Sequence, residues 1–390
     1  MEEIELGICP ECCKCEYLKY FVKQNVDSIG TCTICQENKQ TLSIRSQELK
    51  SFARFLIRYY YSESDYNPKW GGDGFFKLLS NKNFLFQIEQ HKKKLENSDY
   101  AENYEVFIDN IIDPFDHYHP VELYYGHDKY GRNLFVEPHI NSESALWLRL
   151  KKDLQEKNFF LLEDNSIKTL REPLKKLETK IEEGAEYYRS RIGYNEKEIY
   201  KLSNIIEKIK IPFSNQELSQ PPVFLSQAGR ANRHGISFLY LASNETTSIS
   251  EVRPDPGHYI SCGKFKSRNK LNLVDLRFID LSKYYKNNID FSLFKLFRGL
   301  ATELSHPVIS TEKNKYLITQ FLSDLIRKLD YDGLVFSSSI NDGDNLVIFD
   351  PSNFEYIDNS STLLKIKKME YSYKEVDYYF NGFIETYKEI

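Results

Sequence analysis

Apolar residues recur at helical spacing through the first half of the chain. One run begins after Ser46, a candidate N-cap, and its apolar positions fall every three or four residues. These positions predict one buried helix face: Leu49, Phe52, Phe55, Leu56 and Tyr59. Similar spacing predicts further helices at 84–95, 104–112, 142–156 and 167–183. Pro173 lies inside the last of them and predicts a kink or a late start there.

The pattern changes after residue 183. Short runs rich in β-branched and aromatic residues predict strands at 235–242, 258–265, 271–276, 333–338 and 345–349. Helical spacing returns between them at 290–302 and 316–328. Strands and helices that alternate irregularly predict a mixed α+β fold. We therefore expect an α+β protein with a boundary near residue 184.

Composition narrows the class of protein. The chain has 390 residues, 41% hydrophobic and 28% charged, which is typical of globular domains. The net charge of −5 disfavours a general nucleic-acid binder, and no specific nucleic-acid partner is evident. No apolar run approaches the ~18 residues of a membrane span, and the acidic N-terminus does not resemble a signal peptide. We expect a cytoplasmic protein.

Six of the seven cysteines lie within the first 35 residues. They include two Cys-x2-Cys pairs, 19 residues apart, that predict a tetrahedral structural Zn²⁺ site: Cys9, Cys12, Cys32 and Cys35. Cys13 and Cys15 lie beside the first pair, and Cys15 could replace one of its members. With all four ligands supplied by the protein, this site is structural and not catalytic.

The segment GRANRHGISFLYLASNETTSISEVR, residues 229–253, contains residues of several chemical types. Taken singly, Arg230 is explained as a surface group and Tyr240 as a core residue. Glu251 is explained as an acid in the first turn of a predicted helix, where the helix dipole favours it. Considered together with YYRSRIG at 187–193 and DGLVFSSS at 332–339, these residues indicate a functional site.

In order and spacing, these segments resemble the RES domain family over roughly residues 185–355. The resemblance implies a fold similar to that of ADP-ribosyltransferases, NAD⁺ as the substrate, and a bacterial toxin or antiphage effector with an antitoxin or immunity partner. The cysteine pairs and the helices after them resemble the HEPN-like region fused to some RES domains. We thus predict a zinc-ribbon-like module at 1–40, a helical domain at 41–184 and a RES domain at 185–390.

The resemblance also implies the roles of individual residues. Arginines offer forked donors to the pyrophosphate, an aromatic ring stacks on nicotinamide, and a carboxylate stabilises the positive ribose. The serine holds the substrate or the carboxylate. The family usually has Tyr-Pro-Ser where this chain has Phe-Ser-Ser. We assign the family serine to Ser338, and Ser337 and Ser339 remain alternatives one residue away. The matching positions are Arg189 or Arg191, Arg230, Asn232, Tyr240, Glu251 and Ser338.

The predicted reaction is cleavage of the nicotinamide N-glycosidic bond, with water or phosphate as the acceptor. Two alternatives are ADP-ribosyl transfer to a macromolecule and a catalytically degenerate, zinc-dependent binding module. Arg132 and His139 fit the Arg-x6-His spacing that HEPN ribonucleases carry on a helix, although Pro138 lies beside His139 and the preceding YGHDKYG resembles a turn. A second metal site is also conceivable among three histidines: His117, His119 and His127.

Overall fold

A computed structural model describes residues 6–61, 85–86, 138–140, 144–157, 159–201, 204–305 and 316–370. The chain divides into two compact units, 1–165 with 278–302 and 166–277 with 303–390. The predicted helix at 104–112 and nearly all of that at 84–95 lie outside the described residues. So do four residues of the alternative sites: Arg132, His117, His119 and His127.

The described elements confirm a mixed α+β fold. The helices are Glu16–Gln24 (α1), Gln47–Tyr60 (α2), Ala145–Glu156 (α3), Phe159–Lys175 (α4), Glu245–Glu251 (α5), Asn288–Ser305 (α6) and Leu317–Lys328 (α7). The strands are Leu6–Ile8 (β1), Ser28–Cys32 (β2), Asn38–Ser43 (β3), Glu178–Ile181 (β4), Glu186–Ile192 (β5), Asn195–Lys201 (β6), Asn204–Ile211 (β7), Leu239–Ala242 (β8), Tyr259–Ser267 (β9), Leu271–Asp275 (β10), Gly333–Ser337 (β11), Asp344–Ile348 (β12), Phe354–Tyr356 (β13) and Thr362–Lys365 (β14). No helix among the described residues is both long and apolar enough to cross a membrane.

The N-terminal unit begins with a small closed barrel of three strands. β1 pairs with β2 in parallel and with β3 in antiparallel register. Because β1 and β2 are parallel, their C-terminal ends meet at one edge of the barrel. Cys9 follows β1 and Cys32 ends β2, so both cysteine pairs begin at that edge.

Helix α2 confirms its sequence prediction. The Ser46 side chain accepts a hydrogen bond from the Leu49 N–H at 3.2 Å and caps the helix. Four of the five positions of the predicted apolar face are fully buried, and Phe55 is half-buried. The spacing of apolar residues therefore identified the buried face of this helix correctly.

A segment from much later in the chain completes this unit. Residues 278–302, which include most of α6, belong to it. Phe291 and Phe294 of α6 lie with ring centroids 5.1 Å and 6.1 Å from those of Phe55 and Tyr59. Arg298 donates a hydrogen bond to the Tyr59 hydroxyl. The N-terminal helices and α6 thus share one aromatic core.

The predicted helix at 167–183 is wrong in its bounds. Helix α4 already includes Phe159 and ends at Lys175, two residues after Pro173. The helix closes in a turn, where the Leu177 N–H bonds to the Leu174 carbonyl at 2.9 Å. Residues 178–181 form β4 instead, because they pair with β10 in antiparallel register. The apolar pattern was misleading because buried residues recur at helical spacing before and after this turn: Leu170, Leu174, Leu177 and Ile181.

The C-terminal unit contains a nine-stranded sheet. The strand order is β13-β9-β5-β8-β12-β11-β10-β4, and β14 also pairs with β9. Of these pairs only β10–β11 is parallel. Strands β5, β13 and β14 of this sheet were not predicted, and neither were β6 and β7, which form a separate two-stranded sheet. Strand β8 begins four residues later than expected, because the chain first makes a turn at Gly235, whose φ of +78° favours glycine.

Alternation along β8 separates the core from the opposite face of the sheet. Leu239 and Leu241 belong to the hydrophobic core, together with Leu346 and Ile348 of β12. Because successive side chains of a strand point to opposite faces, Tyr240 lies on the other face of β8. The sheet therefore buries one side of β8 in its core and presents Tyr240 on the other side.

A substitution at Gly333 tests how closely the centre of this sheet is packed. A Cβ at this position would meet the Val347 carbonyl oxygen and would lie 2.7 Å from Leu273 Cδ2. We predict that Gly333→Ala lowers the free energy of unfolding by about 2–3 kcal/mol, measured by urea denaturation. Ser337→Ala on the same strand, where the side chain is exposed, should change it by less than about 0.5 kcal/mol. Equal stability of the two variants would contradict the described packing.

Candidate active site

The sheet of the C-terminal unit splits beside β5. Strand β5 pairs with β9 along Glu186–Ile192 but with β8 only at Tyr188 and Ala242. A cavity of about 450 Å³ lies where the two strands diverge. Its lining comes from β5, β8, β11, β12, α5 and the loop at 228–230. Strand divergence is therefore the structural origin of the cavity.

Glu251 lines this cavity from the end of α5. Its Oε1 accepts hydrogen bonds from Ser338 Oγ at 2.8 Å and from Asn345 Nδ2 at 2.6 Å. The expectation that Glu251 lies near a helix start is wrong, because it is the last residue of α5. A carboxylate is unfavourable at the C-terminal end of a helix dipole. The stability of the helix therefore does not explain its position.

Ser338 is the serine that contacts the carboxylate. Its hydroxyl donates to Glu251 and accepts from the Ile340 N–H at 3.2 Å. Ser337 is exposed, and the Ser339 hydroxyl donates to the main chain at the end of α6. Of the three candidate serines, the structure brings Ser338 alone to Glu251.

Tyr240 and Asn232 organise the loop that leads into β8. The Tyr240 hydroxyl donates to Asn232 Oδ1 at 2.7 Å and accepts from the Ala231 N–H at 3.2 Å. Asn232 is buried, and its amide donates to three main-chain carbonyls of the loop. Tyr240 lines the cavity and Asn232 does not. Burial raises the pKa of Tyr240 to about 12.

The candidate arginines differ in their placement. Arg189 lines the cavity and donates to the carbonyls of Leu218 at 2.6 Å and Tyr240 at 2.5 Å. Burial lowers its pKa to about 10, so the guanidinium is charged at neutral pH. Arg191 donates to the Glu217 carbonyl at 2.6 Å and does not line the cavity. Within this pair, the structure places Arg189 at the candidate site.

Arg230 lines the cavity from the loop before β8. Its Nη1 donates to the carbonyl of Leu304, and to that of Ser305 at 3.1 Å. These carbonyls belong to the last turn of α6, where a cation is favoured by the helix dipole. Arg230 therefore also caps a helix.

The cysteine cluster lies in the N-terminal unit. The Sγ atoms of Cys9, Cys12, Cys32 and Cys35 lie within 4.8 Å of one another, and all four residues are buried. Cys9 Sγ and Cys35 Sγ are 3.9 Å apart. Tetrahedral Zn–S bonds of about 2.3 Å place sulfur atoms roughly 3.8 Å apart, so the cluster fits a metal of this kind.

The two remaining N-terminal thiols point to other partners. Cys13 Sγ contacts the Cys9 carbonyl at 3.7 Å, and Cys15 Sγ contacts the Tyr60 hydroxyl at 3.7 Å. Neither belongs to the four-cysteine cluster. The clustered cysteines are therefore those of the two Cys-x2-Cys pairs, Cys9 with Cys12 and Cys32 with Cys35.

Comparison with known proteins identifies part of the chain. The sequence model of the RES domain family matches residues 206–367. The chain contains a RES domain. No curated protein sequence matches the chain. Among solved structures, a chain of the Mycobacterium tuberculosis MbcT–MbcA toxin–antitoxin complex is 12% identical, with a TM-score of 0.29; the alignment covers 51% of this chain and 92% of that one.

The RES domain match includes Arg230, Asn232, Tyr240, Glu251 and Ser338. Arg189, on β5, precedes the matched range and still lines the same cavity. Residues 278–302 fall within the matched range, yet they belong to the N-terminal unit. The compact unit that surrounds the cavity therefore differs from the range identified by sequence.

Sequence reasoning missed several residues of the RES domain cavity. Asn345 is the most informative, because it is buried in β12 and bonds to Glu251. Asparagine is depleted inside strands, so its presence in the run DNLVI was a usable signal. Ser190 and Ser248 also line the cavity and share a hydrogen bond of 2.9 Å. Other lining residues that were not anticipated are Tyr188, Arg253, Tyr316 and Phe336.

Alkaline titration tests the described environment of Tyr240. Tyr240→Phe removes two hydrogen bonds, so we predict a loss of about 1–2 kcal/mol in the free energy of unfolding at pH 7. The folded pKa of about 12 lies above the usual value of 10, so the stability that this hydroxyl contributes is present below pH 10 and lost toward pH 12. The difference between wild type and variant should therefore shrink between pH 10 and 12 in denaturation experiments. A constant difference would contradict the burial of the hydroxyl.

Proposed function

We propose that the RES domain cleaves NAD⁺ at the bond between nicotinamide and ribose, with water or phosphate as the acceptor. The observation that carries this proposal is the Glu251 carboxylate, held by Ser338 and Asn345 at a cavity that arginines and Tyr240 also line. The family resemblance supplies NAD⁺ as the substrate. Its cationic ring, ribose and pyrophosphate match the chemical types of these side chains.

The carboxylate is suited to the charge that develops in this reaction. As the C–N bond breaks, its electron pair leaves with nicotinamide, and positive charge builds up on the ribose. A fixed carboxylate stabilises that charge more in the transition state than in the ground state. Ser338 and Asn345 both bond to Oε1, so we assign Oε2 of Glu251 to a ribose hydroxyl. Water then adds to the anomeric carbon and releases a proton, which gives ADP-ribose.

The remaining residues take supporting roles in this proposal. The Tyr240 ring is the platform for nicotinamide, since an aromatic face attracts a cationic ring. Arg189 and Arg230 supply positive charge at the cavity through N–H groups that their main-chain bonds do not use. Ser338 acts as a positioning residue, because its hydroxyl proton is already donated to Glu251. Asn232 supports the loop that carries Arg230.

The biological role follows from the reaction. A protein that consumes NAD⁺ arrests the growth of its host, so we propose a cytoplasmic bacterial toxin or antiphage effector restrained by an antitoxin or immunity protein. The N-terminal HEPN-like region would regulate or scaffold the enzyme. Labelled NAD⁺ distinguishes the alternatives, because label attached to a macromolecule indicates ADP-ribosyl transfer. No release of nicotinamide would indicate a binding module.

Glu251→Gln tests the reaction directly. The change keeps the shape of the side chain and removes its charge, so we predict that kcat for nicotinamide release falls about 100- to 1,000-fold. Glu245→Gln is the matched control, since Glu245 begins the same helix and does not line the cavity. Its kcat should stay near that of wild type. A Glu251→Gln enzyme as fast as wild type would refute the mechanism.

The two donors to Glu251 give a graded version of this test. Ser338→Ala and Asn345→Ala should each lower kcat by roughly 10-fold, because each removes one hydrogen bond from the charged group. Their effects should not add in the Glu251→Gln background, where the charge that they position is missing. Additive losses in that background would show that the two residues act independently of Glu251.

We also propose that the four-cysteine cluster binds a structural Zn²⁺. The support is the group of four buried thiols, whose Sγ atoms lie within 4.8 Å of one another. We predict one zinc per chain by elemental analysis and its loss in Cys35→Ser, with a lower midpoint of thermal unfolding because metal binding contributes to folding. Cys15→Ser is the matched control and should retain the metal. Equal zinc content in the two variants would refute the assignment.

A further inference from the structure

We propose that Arg253 binds the pyrophosphate of the substrate. This inference rests on the proposed function and adds a residue to it. Arg253 lines the same cavity as Glu251 and follows it by two residues. It therefore joins the carboxylate and a cation in one short segment at the end of α5.

The backbone of Arg253 adopts a conformation that arginine rarely takes. Its φ is +48°, in the left-handed region, and its N–H bonds to the Ser250 carbonyl at 3.0 Å. Glycine or asparagine usually occupies such a position after a helix. The residue before a proline also favours extended backbone, and Pro254 follows. Strained positions of this kind are concentrated at functional sites, where the placement of the side chain compensates the cost.

The three arginines that line the cavity differ in what their guanidinium groups bond. Arg189 and Arg230 each donate to two main-chain carbonyls. The exposed Arg253 side chain forms no hydrogen bond or ion pair with any described residue. A guanidinium without such bonds keeps all five donors for a ligand. Arg253 is thus the best-equipped of the three to grip an anion in the bidentate manner that suits phosphate oxygens.

The chemistry of the substrate requires a cation near the carboxylate. The ribose that carries the scissile bond also carries, on its 5′ oxygen, the first phosphate of the pyrophosphate. A site that places a carboxylate at this ribose must therefore accommodate a dianion one sugar away. Arg253 meets this requirement while Glu251 contacts the ribose. The two charges are matched to two neighbouring groups of one ligand.

Binding of ADP-ribose tests the inference without any turnover. By isothermal titration calorimetry, wild type should bind ADP-ribose, and Arg253→Ala should bind it about 10- to 100-fold more weakly. Arg253→Lys should recover part of the loss, because lysine keeps the charge but not the forked geometry. The matched control is Arg268→Ala, which removes an exposed arginine that pairs with Glu355 outside the cavity. Its affinity should equal that of wild type.

Arg253→Gly separates the charge from the backbone. Glycine adopts the left-handed conformation freely, so this variant should unfold at a temperature a few degrees higher and still bind ADP-ribose as weakly as Arg253→Ala. A purely structural role would instead lower stability and leave affinity unchanged. Wild-type affinity in Arg253→Ala, or no binding of ADP-ribose by wild type, would overturn the proposal.

Kinetics with two substrates completes the test. Arg253→Ala should raise the KM for NAD⁺ about 10- to 100-fold with little change in kcat, which is the mark of lost ground-state binding. For nicotinamide riboside, which lacks the pyrophosphate, kcat/KM should be the same in wild type and variant. An equal loss with both substrates would contradict a phosphate contact. Failure of wild type to release nicotinamide would refute the proposed reaction. The affinity for ADP-ribose, measured by calorimetry, tests the role of Arg253 independently of that reaction.

Discussion

The candidate site depends on the divergence of β5 from β8. A strand that paired fully with both neighbours would close the sheet and leave no space beside Tyr240. Strand β5 instead keeps its pairing with β9 and meets β8 at a single residue pair. The Arg189 guanidinium bonds to the Tyr240 carbonyl of β8 and to Leu218 at this split. A charged side chain thus holds together two strands that pair in the sheet at only one residue pair.

Secondary structure around this split determines which groups can act together. Alternation in β8 places its leucines in the core and Tyr240 at the cavity. β12 pairs with β8 and brings Asn345 opposite Ala242. Helix α5 ends at Glu251, so that the carboxylate reaches both Asn345 and Ser338. The end of α5 and the segment from Ser338 to Asn345, which are 87 to 94 residues apart in sequence, therefore meet at one carboxylate oxygen.

Sequence reasoning identified features that leave a periodic or spaced signal. The apolar face of α2 and the two spaced cysteine pairs are of this kind, and both are explained by local geometry. The family motif also brought Tyr240, Glu251 and Ser338 into one hypothesis. In the structure Tyr240 and Glu251 line one cavity, and Ser338 does not line it but bonds to Glu251.

Features that depend on tertiary pairing left no such signal. Residues 178–181 continued a helical pattern and became a strand, because β10 offered them hydrogen-bond partners. Likewise, nothing local distinguishes Arg189 from Arg191, because residues two apart in a strand lie on the same face. Their positions along β5 separate them: Arg189 lines the cavity, and Arg191 bonds to the Glu217 carbonyl. Asn345 was missed because its role is to bond to Glu251, which is 94 residues away in sequence.

The discontinuous N-terminal unit has a consequence for synthesis of the protein on the ribosome. Its aromatic core requires α6, so the unit lacks part of its interior until residue 302 has left the exit tunnel. At about 5–20 residues per second, the roughly 230 residues between Tyr59 and Phe291 take on the order of 10–50 seconds to appear. During that interval the N-terminal helices expose apolar surface that a chaperone could recognise. Maturation of the two units is thereby coupled in time, although each has its own core.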